Sequence, residues 1–326
     1  YKLNFMIKKK SLPNLKIYIA GHNGMVGRAL HSHLNKLGIK KIITSSKKNL
    51  NLLDINNLKK FFKKKKPDVV INCAGKVGGI LANSTYPVEF LNENILIQLN
   101  LIKCSYENNI KNLINLGSSC IYPKNAKQPI KENYLLTSPL EKTNEAYALA
   151  KIVGLKACDF YNQQYKTNYF TLMPCNLYGP HDNFHFRNSH FIPALIKKFI
   201  EAKKDSVEIW GSGSPLREVM HVDDLADAIV YLLKLKVNNN KKLIKQIKLN
   251  SLINVGSGQE YTIKEFAKII NRITLSKKKL KFNKKYPDGT KRKILDISFI
   301  KKLGWKSKIN LTDGLQNTIE WYKSNY

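Results

Sequence analysis

Apolar residues fall in short runs, with longer amphipathic stretches between them. "KIYIAG" (16–21) reads as a buried strand, and "GMVGRALHSHLNKLG" (24–38) as an amphipathic helix ending at a glycine. "KKIITSS" (40–46) predicts a second strand, "INNLKKFFKKKK" a helix stopped by Pro67, and "PDVVINCAG" a third strand. A helical stretch follows from about Pro87 to Asn108, then "KNLINLGSS" as a fourth strand. "TNEAYALAKIVGLKACDFYNQQY" predicts a helix capped by Thr143 or Asn144, and "NYFTLMPCNLYGP" a fifth strand with its loop. Regular alternation of this kind predicts an α/β fold: a Rossmann-type, doubly wound parallel sheet.

After about Pro180 the pattern loosens. "SHFIPALIKKFIEAKK" and "HVDDLADAIVYLLKL" read as helices, "VEIWGSG" as a short strand, and "LINVGSGQEYTIKEFAKIINRI" as strand, turn and helix. The polar, repetitive segment 236–250 reads as a surface insertion. The expected organisation is a tail over 1–15 and a dinucleotide-binding domain over 16–180. A smaller C-terminal α/β substrate lobe takes 181–326, with some segments returning to the first domain.

The formal charge of +33 over 326 residues invites a nucleic-acid reading. The lysines run along the whole chain and no recognition motif accompanies them, so no specific nucleic-acid partner is expected. A basic surface suits an anionic substrate. The five cysteines have neither paired nor metal-like spacing, which fits a reducing, cytoplasmic setting and no metal site. No apolar run approaches a membrane span, and the N-terminal stretch lacks a signal-peptide core.

Several patterns carry chemistry. Gly21, Gly24 and Gly27 follow the first strand and open the first helix, where backbone N–H groups and the helix dipole can meet a pyrophosphate. After the second strand come Lys47 and Lys48 and no acid, which favours a 2′-phosphate and hence NADP(H) over NAD. Asp54 is either an adenine contact or the N-cap of the next helix. Tyr147 and Lys151 lie four apart on one helical face, an arrangement in which an ammonium can lower a phenol's pKa for proton transfer. "LGSSC" ends the preceding strand with hydroxyls and a thiol, at the sheet edge where α/β folds bind ligands.

Together these features resemble the extended short-chain dehydrogenases/reductases. "GHNGMVG", "KVGGI", "NSTYP", "LGSSCIYPK", "TNEAYALAK", "NLYGPHDNF", "WGSGSPLREVMHVDD" and "PDGTKRK" narrow the resemblance to the GDP-L-fucose synthase family. That resemblance implies 3,5-epimerisation of GDP-4-keto-6-deoxy-D-mannose and NADPH-dependent reduction of its 4-ketone. The alternative within the same chemistry is a nucleotide-sugar epimerase, dehydratase or plain 4-reductase. A homodimer pairing the helices at 87–108 and 143–166 is also implied.

By resemblance, Cys120 is the base and His190 the acid of epimerisation. Ser118 and Tyr147 bind the carbon-4 oxygen, and Lys151 positions the nicotinamide ribose. Further cofactor contacts are implied at Asn23, Met25, Val26, Leu116, Gly117 and Ser119, and at Pro174, Cys175, Asn176, Leu177 and His190. Lys198, Trp210, Arg217 and Asp288 fall on the substrate side. Asn23 stands where the family commonly has a basic residue, Lys198 where arginine is frequent, and Cys175 where threonine is frequent. His181 and His221 read as structural, and Met173 and Met220 as core.

Overall fold

The computed structural model describes residues 12–185, 189–286 and 288–326. Strands β1 (Ile17–Ala20), β3 (Val69–Asn72), β4 (Asn112–Leu116), β5 (Phe170–Pro174) and β9 (Leu252–Val255) are buried almost throughout. Such strands need cover on both faces, the condition of a parallel sheet. With β2 (Ile42–Ile43) they form a six-stranded parallel sheet in the order β2-β1-β3-β4-β5-β9. The expected seven-residue second strand is only two residues long, since the chain turns at Lys47–Asn49.

Side chains alternate between two cores. Ile17 and Ile19 join a cluster with Leu30 of α1 (Met25–Lys36) and Leu225 and Ile229 of α7 (Val222–Val237). Tyr18 and Ala20 join another with Phe62 of α2 (Ile55–Lys65) and Leu101 of α4 (Pro87–Glu107). A short helix, α3 (Ile80–Thr85), precedes α4, and α5 (Glu145–Tyr165) packs along it. Asn144 is the N-cap residue of α5, without a side-chain cap bond.

A second lobe has its own core, from Tyr178 of β6 (Asn176–Tyr178), α6 (Phe191–Ile200), β7 (Ser206–Trp210) and β8 (Leu216–His221). It is closed by α9 (Ile263–Ile273) and α11 (Leu311–Asn325). Strand β8 pairs with β6, with β10 (Glu260–Thr262) and with β12 (Arg292–Lys293), while β7 pairs with β11 (Lys279–Asn283). A last short helix, α10 (Ser298–Lys302), returns to β9.

Two expectations change. The presumed insertion holds a helix, α8 (Lys241–Leu249), capped by Asn240. Its lysine-rich sequence carries Leu243 and Ile247, four apart and buried, so it packs as part of the crossover into β9. The presumed tail is also too long: residues 1–11 lie outside the described residues, and Leu12 and Leu15 are core. Among the described residues, no helix is long and apolar enough to cross a membrane.

Glu218 of β8 is buried, and its carboxylate accepts from Gly258 N (2.7 Å) and Leu295 N (2.9 Å). Burial raises its pKa to about 7 despite these bonds, with the Glu260 charge adding to the rise. The folded state therefore holds this proton more tightly than the unfolded chain. Its contribution to stability is complete below the unfolded pKa near 4.3 and is lost as pH rises through about 7. Glu218→Gln, measured by urea denaturation, should be the less stable protein at pH 5, by about 1–3 kcal/mol. The gap should narrow by pH 8; a gap independent of pH would contradict this role.

Candidate active site

The turn after β1 is built by close approach. Gly21 has φ +77°, and a Cβ there would sit 2.7 Å from the Ala74 backbone at the end of β3. A Cβ on Gly27 would sit 2.2 Å from Gly21 O, so the first turn of α1 lies directly on the loop. Gly24 is the N-cap residue and offers no side-chain acceptor to the opening N–H groups, and no acid occupies that turn. Arg28 Nε donates to Asn23 O (2.9 Å) and holds the loop from the side. Uncapped N–H groups, a positive helix end and a wall without Cβ atoms fit a dinucleotide pyrophosphate. Met25 and Val26 lie half-buried in that first turn.

Lys47 and Lys48 are exposed beyond β2. Of the two readings of Asp54, the structure displays the cap: Oδ1 accepts from Asn56 N and Asn57 N, and Oδ2 from Asn57 Nδ2.

At the end of β4, Gly117 lets Met173 pack against the backbone, since a Cβ would meet Met173 Cε at 2.4 Å. Ser118 then caps a 3-10 turn over Ser119–Ile121, its Oγ accepting from Cys120 N (3.3 Å). Buried Lys151 donates from Nζ to Leu116 O (2.8 Å), which ties α5 to the end of β4. This tie sets Tyr147, one turn earlier, beside Ser118, whose side chain is near enough to favour the phenolate. Lys151 Nζ stands 5.7 Å from the Tyr147 ring centroid, and Phe90 meets that ring edge-on at 6.2 Å. Ser118, Cys120, Tyr147 and Lys151 thus converge on the carboxyl edge of the sheet.

The electrostatics correct one expectation. The Tyr147 phenol is pushed above its ordinary value, not below it: burial disfavours the phenolate and negative charge at Cys120 adds to this, while Ser118 opposes it. Burial also brings Lys151 down to about 8, which weakens the cation that was to lower the phenol. A high phenol pKa keeps Tyr147 protonated, the state of a proton donor.

The remaining expected residues lie mainly on the second lobe. His190 is the N-cap residue of α6, open to solvent yet ringed by protein, and that enclosure lowers its imidazole pKa. Pro174, Cys175, Asn176 and Leu177 continue from β5 into β6, and Cys175 N is held by Val255 O (2.9 Å). Lys198 Nζ donates to Glu208 O (3.0 Å) and lies 4.7 Å over the Trp210 ring. Trp210 is 54 % exposed and stacks on Tyr286 at 4.4 Å. Arg217 Nη1 is anchored by Leu216 O and Thr290 O. Asp288 accepts from Ser212 N (2.9 Å) and Ser212 Oγ (2.6 Å), so it clamps the 211–214 turn between Trp210 and Arg217. His221 is buried and caps α7, and Met173 and Met220 are core, as expected.

Sequence reasoning missed three contributors. Asn94 of α4 mimics a strand partner, exchanging two 3.0 Å bonds with the Lys76 backbone and fixing the loop after β3. Gln98, one turn on, joins Asn115 and Asn72 in a buried amide chain; the four-residue spacing of two amides in an apolar helix was the available signal. Lys293, in the quoted "PDGTKRK", reaches Cys120 Sγ at 4.0 Å. A cavity of about 680 Å³ lined by Leu15, Phe62, Asp68 and Asn112 opens at the amino ends of the strands. It lies at the opposite edge from this chemistry and holds none of the expected site residues.

Residues 17–256 match the NAD dependent epimerase/dehydratase family. The chain belongs to that family. It is 47 % identical to a putative GDP-L-fucose synthase 2 of Arabidopsis thaliana, over 99 % of this chain and 94 % of that protein. It is 44 % identical to the GDP-L-fucose synthase of Escherichia coli K12, over 95 % and 97 % of the two chains. The solved GDP-D-glycero-L-gluco-heptose synthase of Campylobacter jejuni, determined in the presence of NADPH, superposes with a TM-score of 0.88 at 37 % identity. The match covers 96 % of this chain and all of that one. Within the family, the chain groups with the GDP-L-fucose synthases.

Because Gly27 touches the loop backbone, Gly27→Ala must displace one or the other. NADPH affinity, read by nucleotide fluorescence titration, should fall about 10-fold or more. Unchanged affinity would place the pyrophosphate elsewhere.

Proposed function

We propose that one pocket at the carboxyl edge of the sheet performs every step by which this enzyme makes GDP-L-fucose. The enzyme converts GDP-4-keto-6-deoxy-D-mannose by 3,5-epimerisation and reduction of the 4-ketone, with NADP(H) as cofactor. The observation that carries the one-pocket reading is the convergence of Ser118, Cys120, Tyr147 and Lys151 at the ends of β4 and α5.

The carbon-4 ketone is the common handle. It acidifies the hydrogens on carbons 3 and 5, because loss of either leaves an enolate. Ser118 and the protonated Tyr147 hydrogen-bond the carbon-4 oxygen and stabilise the charge that develops there. Cys120 takes the proton on one ring face and His190 returns one to the other. Lys151 anchors the nicotinamide ribose and keeps Tyr147 in register with Ser118. NADPH, when bound, would supply a hydride for carbon 4, and Tyr147 gives the proton that completes the alcohol. Gly21, Asn23, Gly24, Met25 and Gly27 line the pyrophosphate, and Lys47 meets the 2′-phosphate in place of the missing basic residue at 23. Arg217 and Lys198 face the diphosphate of the substrate, and Trp210 its base.

The functional unit is a homodimer. Leu149, Val153 and Phe160 form an exposed apolar stripe on α5, and Val88, Leu96 and Tyr106 are exposed on α4 beside it. A second copy of the same two helices would cover both stripes in a four-helix bundle. The free cysteines fit a cytoplasmic enzyme.

Two measurements test this. In deuterated water with NADPH, the product should be GDP-L-fucose carrying deuterium at carbons 3 and 5, and Cys120→Ala should lower turnover about 100-fold or more. Reduced product without deuterium would mean a plain 4-reductase. In sedimentation, the particle should have about twice the 37.4 kDa chain mass, and Val153→Glu with Phe160→Glu should halve it. A wild-type monomer would contradict the dimer.

A further inference from the structure

Cys120 has a neighbour from the other lobe. Lys293 Nζ lies 4.0 Å from its Sγ. In a chain with 56 lysines and arginines, one such contact has little meaning alone. What distinguishes Lys293 is how firmly its backbone is placed. In β12 it stands opposite Arg217 of β8. The next residue, Ile294, donates from N to Gln128 Oε1 (2.9 Å), and Ile130 N donates to Ile294 O (2.8 Å). Leu295 N is held by the buried Glu218 carboxylate (2.9 Å). The segment is therefore stitched to β8 on one side and to the 128–130 loop on the other.

Strand alternation then separates the basic residues. Arg292 is exposed and forms a two-point ion pair with Glu260. Lys293, on the opposite side, is half-buried and turned toward the pocket. The other pocket lysine does not serve the thiol, since Lys151 Nζ is engaged by Leu116 O.

We propose that Lys293 is a positioning residue for epimerisation: its ammonium stands beside Cys120 Sγ and pairs with the thiolate that removes the ring protons. This rests on the reading of Cys120 as the base. The thiolate takes the proton of carbon 3 or 5, and the C–H electron pair passes to the carbon-4 oxygen as an enolate. His190 protonates the other face, and Cys120 and His190 then exchange one proton each with solvent, so nothing is oxidised or reduced. Lys293 thus couples the second lobe to the thiol and takes no part in protonating the reduced carbon-4 oxygen, which falls to Tyr147.

The test compares wild type, Lys293→Met and Lys293→Arg. Iodoacetamide labelling of Cys120 at pH 7, followed by peptide mass spectrometry, should slow about 10-fold in Lys293→Met and by less than about 3-fold in Lys293→Arg. Deuterium uptake at carbons 3 and 5 of the keto sugar should fall with the labelling rate. Hydride transfer from NADPH to the already epimerised ketone should fall far less. Equal labelling in all three proteins overturns the proposal. So does an equal loss of exchange and hydride transfer, the mark of a merely structural residue. If wild type labels faster than Lys293→Met yet exchanges no ring hydrogen, the charge pair stands and the reading of Cys120 as base falls.

Discussion

The bond from Lys151 Nζ to Leu116 O orders the active site. It joins the middle of α5 to the last residue of β4, just before the turn that carries Ser118 and Cys120. An ammonium buried this way is costly, and desolvation brings it down to about 8. The hydrogen bond offsets part of that cost and fixes the register of helix against strand. Tyr147 is then one helical turn from the anchor, and Ser118 two residues beyond the carbonyl. Their meeting follows from the geometry of helix and strand. The amide chain of Asn72, Asn115, Gln98 and Asn94 holds the neighbouring strand ends and the loop after β3 in the same frame.

A second constraint comes from the other lobe. Strand β12 is only two residues long, but it lies between β8 and a bridge from Ile130 to Leu295. The chain thus returns from the substrate side to the mouth of the catalytic pocket. Glu218 links this return to the Gly258 turn after β9. Epimerisation and reduction make different demands, since one needs a base near carbons 3 and 5 and the other a donor at carbon 4. On the proposed reading, the thiol and the phenol stand on separate elements, each with its own lysine, so that one ketone can serve both demands.

Much of this was legible in the sequence. Fully apolar strands in regular alternation with helices gave the parallel sheet, and the glycine spacing marked its cofactor edge. Ser118, Tyr147 and Lys151 were visible because their contacts are local to one helix and one strand end. The direction of the Tyr147 shift was not, because desolvation depends on packing from Phe90 and the neighbouring loops. The 236–250 segment misled because its lysines outweigh the two buried residues that decide its place. Lys293 escaped because its meaning depends on a contact across 173 residues of chain. Asp54 had two readings, of which its hydrogen bonds show the helix cap, and Asp288, expected on the substrate side by resemblance alone, also clamps the 211–214 turn.

The most direct test of a single pocket is a crystal structure with NADP and GDP-L-fucose bound. The account predicts the carbon-4 oxygen within about 3 Å of both Ser118 Oγ and Tyr147 Oη, with Cys120 and His190 on opposite faces of the sugar ring. A sugar bound away from Tyr147, or with both groups on one face, would contradict it.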